Sequence, residues 1–176
     1  IYIIVSYIQL HLNFDIYCKI SHILKNVKIL PILSSVMDGN KVEEVCKNLS
    51  VQTIYHAAAY KHVPMIELNI FSGIENNIFG TLACAEAAIN SNVEVFILIS
   101  TDKAVRPTNT MGASKRFSEL ILQALAKENN NKKIKFSMVR FGNVLGSSGS
   151  VIPLFKRQIK NGGPITVTDP KVIRYF

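Results

Sequence analysis

The chain has 176 residues, 48% of them apolar, which suits one globular domain with its own core. Twenty basic against twelve acidic residues give a net charge of +8, yet the basic residues are scattered, with their densest groups at Lys132, Lys133 and Lys135 and at Lys156, Arg157 and Lys160. Solvated faces account for these groups, so no nucleic-acid groove is expected; a small anion such as a nucleotide diphosphate needs only one or two such charges. Cys18, Cys46 and Cys84 are odd in number and lack CxxC spacing, which excludes a disulfide framework and a zinc site, and predicts free thiols in a reducing cytoplasm.

The first element is the apolar run IYIIVSYIQL, too short to span a bilayer and without the flanks of a secretory signal. An unbroken apolar run of this kind predicts a buried parallel strand. VKILPIL is a second strand, and DGNKVEEVCKNL a helix capped by Asp38 or Asn40. VQTIYHAAA is a third strand that ends on Ala57, Ala58 and Ala59. Those small side chains serve either tight strand-to-helix packing or the close approach of a flat cofactor and its pyrophosphate, and the stretch alone does not choose.

IFSGIENNIFGTLACAEAAINS follows as a helix with Ile74, Ile78, Leu82 and Ala85 along one stripe. The strand VEVFILIS opens into ISTDKAVRPTN, where Ser100, Thr101, Asp102 and Lys103 place a hydroxyl, a carboxylate and an ammonium within one turn of chain. The plainer alternative is a helix-capping Asp102 beside a surface Lys103. SKRFSELILQALAKEN is a helix with Phe117, Leu120, Ile121 and Ala124 as its apolar stripe, and IKFSMVRFG is the last strand. After it, Gly142, Gly146 and Gly149 alternate with Ser147, Ser148 and Ser150 ahead of a helix, a pattern that suits a phosphate or a flexible loop.

Alternating strands and helices predict an α/β fold with a parallel sheet, and in such folds ligands bind at the carboxyl ends of the strands. TNTMGASKR raises a separate question. Met111 and Lys115 share a helix face, and a thioether carries no proton.

Taken together, HAAAYKHVPMIE, ENNIFGT, ISTDKAVRPTNTMGASKR and RFGNVLGSSGSVIPLFKRQI resemble the extended short-chain dehydrogenase/reductase superfamily. Within it they are most similar to the CapD-like bacterial nucleotide-sugar 4,6-dehydratases of polysaccharide and glycan biosynthesis. The resemblance implies a Rossmann-like doubly wound parallel sheet, an NAD(P)+ cofactor and a UDP-N-acetylhexosamine substrate. The implied reaction oxidises C4, removes water from C5 and C6, and returns the hydride to C6. Many relatives have tyrosine where Met111 stands, whereas a membrane-anchored subgroup has methionine there and is active.

By the same resemblance Asp102 is the general acid for the C6 hydroxyl, Lys103 the base for the C5 proton, Thr101 a hydrogen-bond donor to the C4 oxygen, and Lys115 the holder of the nicotinamide ribose. The proton of the C4 hydroxyl falls to Asp102, Lys103 or a water. Burial is expected to keep Asp102 protonated, while desolvation and the nearby Lys115 are expected to neutralise Lys103. Ser35, Val36 and Asp38 are assigned to the adenine side, and Ala57, Ala58 and Ala59 to the pyrophosphate and nicotinamide wall. Asn77 would brace the sheet, Lys61 and Asn143 would face the sugar or its diphosphate, and Arg174 the UDP phosphates.

The resemblance also implies that the chain starts near the family's second strand, without the first strand and glycine-rich turn, which would weaken cofactor binding by the chain alone. Residues 1–162 are expected to form a partial NAD(P)-binding domain and 163–176 the start of a substrate-binding region. The family implies a homo-oligomer in full-length form and a cytoplasmic location, with the parent anchored on the inner face of the membrane. Three functions are carried forward: part of a dehydratase, a nucleotide-sugar epimerase of the same fold, and a non-catalytic remnant.

Overall fold

In the computed structural model, the described residues are 2–6, 22–23, 28–129, 133–144, 151–167, 169–171 and 173, with residues 2–6 described by their backbone. Strands β1 (Tyr2–Ser6) and β2 (Lys28–Ile32) pair in parallel, from Tyr2 opposite Lys28 to Ser6 opposite Ile32. A second parallel sheet has the order β3 (Thr53–His56), β4 (Val95–Thr101), β5 (Lys135–Phe141). His56 pairs with Leu98 and Thr101 with Phe141, so β4 and β5 run on past the end of β3. All five predicted strands are present, and parallel pairing is the arrangement their apolar runs required.

The helices follow the predicted order. Helix α1 (Gly39–Asn48) is capped by Asp38, whose Oδ1 accepts from the Lys41 amide at 3.0 Å, which decides between the two candidate caps. The long helix predicted from residue 70 is preceded by a short α2 (Val63–Leu68), and is itself divided into α3 (Ile70–Ile74), a π-helical turn (Glu75–Phe79) and α4 (Gly80–Asn90). A π turn releases a carbonyl from the usual ladder. That of Asn77 accepts from the hydroxyls of Thr81 at 2.6 Å and Ser118 at 2.7 Å.

Helix α5 (Thr110–Glu128) opens with Asn109, whose Oδ1 accepts from the Gly112 amide at 2.8 Å, and α6 (Val151–Lys160) is the last helix. Helix α4 packs on β3 and α1, and α5 on β4 and β5. The core between them is Phe96, Leu98, Leu122, Val93, Ala85 and Ala88 with Cys46 and Cys84. Phe96 is fully buried, its ring centroid 5.7 Å from that of His56 and 5.6 Å from that of Phe136. Burying a side chain of this size stabilises the fold by about 2–3 kcal/mol. Cys46 and Cys84 are unpaired, and burial pushes their thiols up to about 11 and about 12, so both are inert packing groups; Cys18 lies outside the described residues.

One predicted face is reversed. Phe117 and Leu120 of the predicted apolar stripe are exposed, at 55% and 42%, while α5 buries Ser114, Lys115, Ser118, Glu119 and Leu122. The polar face can turn inward because it is hydrogen-bonded there: Ser118 to the Asn77 carbonyl, Ser114 to Asn77, and Glu119 to Ser100 and Arg140. The outer stripe meets Ile74, Ile78 and Leu82 across an open apolar groove of about 590 Å³.

Candidate active site at the strand ends

Because β3, β4 and β5 are parallel, their carboxyl ends lie on one edge of the sheet, bringing together Ala57–Ala59, Thr101–Lys103 and Gly142–Asn143. The end of β4 carries the acid and base that the sequence singles out. Thr101 leads into a single 3₁₀ turn, Asp102–Ala104. Its hydroxyl donates to Asp102 Oδ1 at 2.9 Å and accepts from the Lys103 amide at 3.3 Å. The Lys103 ammonium lies 3.0 Å from the same carboxylate oxygen, with both side chains about half exposed.

This corrects the expected protonation of Asp102. Its slight burial favours the neutral acid, but the hydrogen bonds from Lys103 and Thr101 outweigh that and hold its carboxyl below the usual range. Asp102 is therefore a carboxylate paired with Lys103. The desolvated lysine is Lys115 instead, only 5% exposed and pushed down to about 8 by burial against the opposing pull of Glu119.

Met111 and Lys115 are both 5% exposed and lie on the inner face of α5, as their shared helix face allows. Gly112 sits between them in the chain. A Cβ at Gly112 would overlap the Lys103 carbonyl oxygen and lie 3.3 Å from Pro107 Cβ, so the helix backbone rests directly on the turn that bears Asp102 and Lys103.

Asn77 is fully buried. Its side chain accepts from the Tyr60 amide at 2.8 Å and donates to the Tyr60 carbonyl and to Ser114 Oγ, each at 3.0 Å. It thereby clamps the loop after Ala57–Ala59 to α5, a bracing role with its polar atoms engaged inside the protein. Ala58 and Ala59 are half-buried and Ala57 is exposed, which leaves the backbone after β3 accessible. His56, just before them, is buried with Nε2 3.0 Å from Thr81 Oγ1; burial, and then the charge of Lys115, push it down to about 3, so it is neutral.

The residues assigned to the adenine side form the turn into α1. Ser35 Oγ accepts from the Met37 amide at 3.2 Å and Asp38 is the helix cap. Val36 is 4% exposed and packs inward at Gly80, so its side chain does not face a ligand. Lys61 is exposed on the loop after β3, and Asn143 is half-buried after β5. Arg174 and the stretch from Gly146 to Ser150 lie outside the described residues. Among the described residues no cluster of His, Cys, Asp and Glu has the makings of a metal site, and no helix is long and apolar enough to cross a membrane.

Several contributors escaped the sequence reading. Glu67 of α2 accepts from both the amide and the hydroxyl of Thr110, at 2.7 and 2.8 Å, and so fixes the start of α5. Gly112, Ser114 and Glu119 are the others. The only sequence signal for them was their position within four residues of Lys115.

Residues 6–176 match the polysaccharide biosynthesis protein family. The capsular polysaccharide biosynthesis protein CapD of Staphylococcus aureus is 50% identical over 150 residues, which is 85% of this chain and 25% of that protein. A protein named UDP-glucose 4-epimerase from Rickettsia rickettsii is 39% identical over 153 residues, 87% of this chain and 44% of that one. Of solved structures, Pen from Bacillus thuringiensis superposes with a TM-score of 0.84 at 34% identity, covering 94% of this chain and 51% of that one. DesIV, a dTDP-glucose 4,6-dehydratase of Streptomyces venezuelae solved with NAD bound, superposes at 0.75 over 85% of this chain and 50% of its own, and at 20% identity it shows the fold. The chain thus spans a quarter to about half the length of these proteins. With its parallel sheet, its Asp-Lys turn and these matches, the chain belongs to the polysaccharide biosynthesis protein family, on a Rossmann-like fold of the extended short-chain dehydrogenase/reductase kind.

Proposed function

We propose that this chain carries the catalytic strand ends of an NAD(P)-dependent UDP-N-acetylhexosamine 4,6-dehydratase. The observation that carries the reading is the Asp102–Lys103 pair, an acid and a base on one turn held against the helix that buries Lys115. Elimination of water needs both a proton acceptor at C5 and a donor at C6. Epimerisation at C4 needs neither, and the second reading, a nucleotide-sugar epimerase, rests on the name of the rickettsial relative.

The pair starts as ammonium and carboxylate. A sugar lying over it removes water from both side chains and disfavours the separated charges. The Lys103 proton then passes to Asp102, giving a neutral amine and a carboxylic acid. The amine takes the C5 proton, and the acid protonates the C6 hydroxyl, which leaves as water. Thr101, whose hydroxyl donates to the Asp102 carboxylate in the free protein, would turn to donate to the C4 oxygen once Asp102 is protonated.

The surroundings suit a dinucleotide: an accessible backbone after β3 and a buried cation at Lys115. NAD(P)+ bound there would supply the hydride acceptor for C4 oxidation and the donor for C6. Lys115 would hold its ribose and keep positive charge beside its nicotinamide. Met111 takes no proton; that of the C4 hydroxyl goes to the Asp102–Lys103 pair or to water. Lys61 and Asn143, on the loops after β3 and β5, face the sugar diphosphate.

We also place the groove between α3–α4 and α5 at an interface between two copies. Its walls carry Ile74, Ile78, Phe79, Leu82, Phe117 and Ile121 and no charged side chain. Nucleotide-sugar chemistry and unpaired cysteines accord with a cytoplasmic location.

The test is to incubate UDP-N-acetylglucosamine and NAD+ with the chain, and with the chain joined at its N-terminus to the corresponding segment of the staphylococcal relative, and to follow the sugar nucleotide by mass. Loss of one water in the joined form supports the dehydratase. A product of unchanged mass but altered C4 configuration establishes the epimerase, and no reaction in a folded, cofactor-bound protein overturns both.

A further inference from the structure

Among the described residues, the most heavily engaged ionised group lies outside those assigned to chemistry. Glu119 is fully buried, and its carboxylate accepts four hydrogen bonds: from Ser100 Oγ at 2.7 Å, Arg140 Nε at 2.9 Å and its terminal nitrogen at 2.7 Å, and Arg116 at 2.9 Å. A carboxylate in such a place is not the economical way to stabilise a core, since an apolar side chain of similar volume does as well or better. What it provides is directional contact with three elements at once. It lies on α5, Ser100 is the penultimate residue of β4, and Arg140 is the penultimate residue of β5.

Its position bears on the reacting groups from two sides. Ser100 immediately precedes Thr101, whose hydroxyl organises the Asp102–Lys103 turn, and Lys115 stands one helical turn before Glu119. Gly112 then sets the same helix against the Lys103 carbonyl, so the turn is held at Ser100 below and at Lys103 above. Glu119 on its own helix and His56 on β3 interact with Lys115, and Glu119 is in turn held by Arg116 of α5 and Arg140 of β5. Only Glu119 among them is negative, and His56 is neutral.

We infer that Glu119 is a positioning residue that ties α5 to the carboxyl ends of β4 and β5 and thereby fixes the Thr101–Lys103 turn relative to Lys115. The functional half of this inference rests on the dehydratase reading. The structural half does not.

The test is Glu119→Gln, which keeps the shape and removes the charge, followed by amide hydrogen exchange on the 176-residue chain. The expected result is exchange about tenfold or more faster at residues 100–105, with Val93 to Leu98 unchanged. Unchanged exchange at 100–105, or uniform loosening along all of β4, overturns the inference. If the Gln variant does not fold, Ser100→Ala removes the strand link alone, and the same pattern of local loosening decides the matter.

In the joined, active enzyme the expected result is a fall in kcat of about 10²-fold with KM for the sugar nucleotide little changed. Glu119 also supports the charge on Lys115, so the alkaline limb of the pH–rate profile should move to lower pH in the Gln variant. An unchanged kcat and profile in a water-eliminating enzyme refutes the inference. A wild-type enzyme that removes no water refutes the dehydratase reading and leaves Glu119 to be judged by exchange.

Discussion

Gly112→Ala is the sharpest test of how the site is built. In an exposed helix interior, replacing glycine by alanine stabilises by about 1 kcal/mol. Here the new Cβ would overlap the Lys103 carbonyl oxygen, lie 3.1 Å from its carbon, and press on Pro107. Backbone carbonyls do not swing aside as a side-chain tip does. Either α5 or the Asp102–Ala104 turn must move by roughly 1 Å, and overpacking of this kind costs about 1–3 kcal/mol. Subtracting the helix gain leaves a net loss of up to about 2 kcal/mol, or a drop in Tm of up to roughly 8 °C for a chain of this size. Thermal unfolding by circular dichroism measures it. In the joined, active enzyme the same shift should lower kcat by about 10²-fold, because the acid and base move relative to the sugar. A variant that melts at or above the wild-type temperature and exchanges its 100–105 amides normally would refute the claim that the helix rests on the turn.

Lys115→Met should stabilise the chain near pH 7 and abolish cofactor-dependent turnover. The folded-state value of about 8 lies below a lysine's ordinary value of 10.5, so between those pH values the unfolded chain holds a proton that the folded chain lacks. Stability in the wild type therefore rises with pH across that window, by at most about 3 kcal/mol, and the Met variant should lose the rise in denaturant titrations at pH 7 and pH 10. An equal slope in both proteins would show that Lys115 is not desolvated. Phe117→Asp should leave the fold intact and shift sedimentation to the monomer, since Phe117 is 55% exposed on the wall of an uncharged groove. A wild-type chain that is already monomeric at high concentration would dispose of the interface.

The strands were legible because each is a short apolar run with a polar or small boundary. That Asp102 and Lys103 share one turn at the end of β4, and that Lys115 lies on the helix packed against that turn, was legible from the order of their motifs. Their ionisation was not. Whether Asp102 is an acid or a carboxylate depends on how far the 3₁₀ turn carries it into water and on which side of it Lys103 lies, and neither is written in local sequence. The π turn escaped for a related reason: it depends on hydroxyls at Thr81 and Ser118 converging on one carbonyl from two helices.

The reversal of α5 has a more general cause. Periodicity locates a stripe of apolar residues but assigns it to the interior only by assuming that the polar stripe has water as its best partner. On α5 that assumption fails residue by residue: Ser114 finds Asn77, Ser118 finds the freed Asn77 carbonyl, and Glu119 finds Ser100 and Arg140. A helix whose polar face is fully satisfied inside the protein has no remaining need to turn its apolar face inward, and that face is left exposed along the groove. The same inward polar face buries Lys115. In this chain the buried lysine and the exposed apolar groove are thus two consequences of one helix orientation, which Glu119 helps to hold through Ser100 and Arg140.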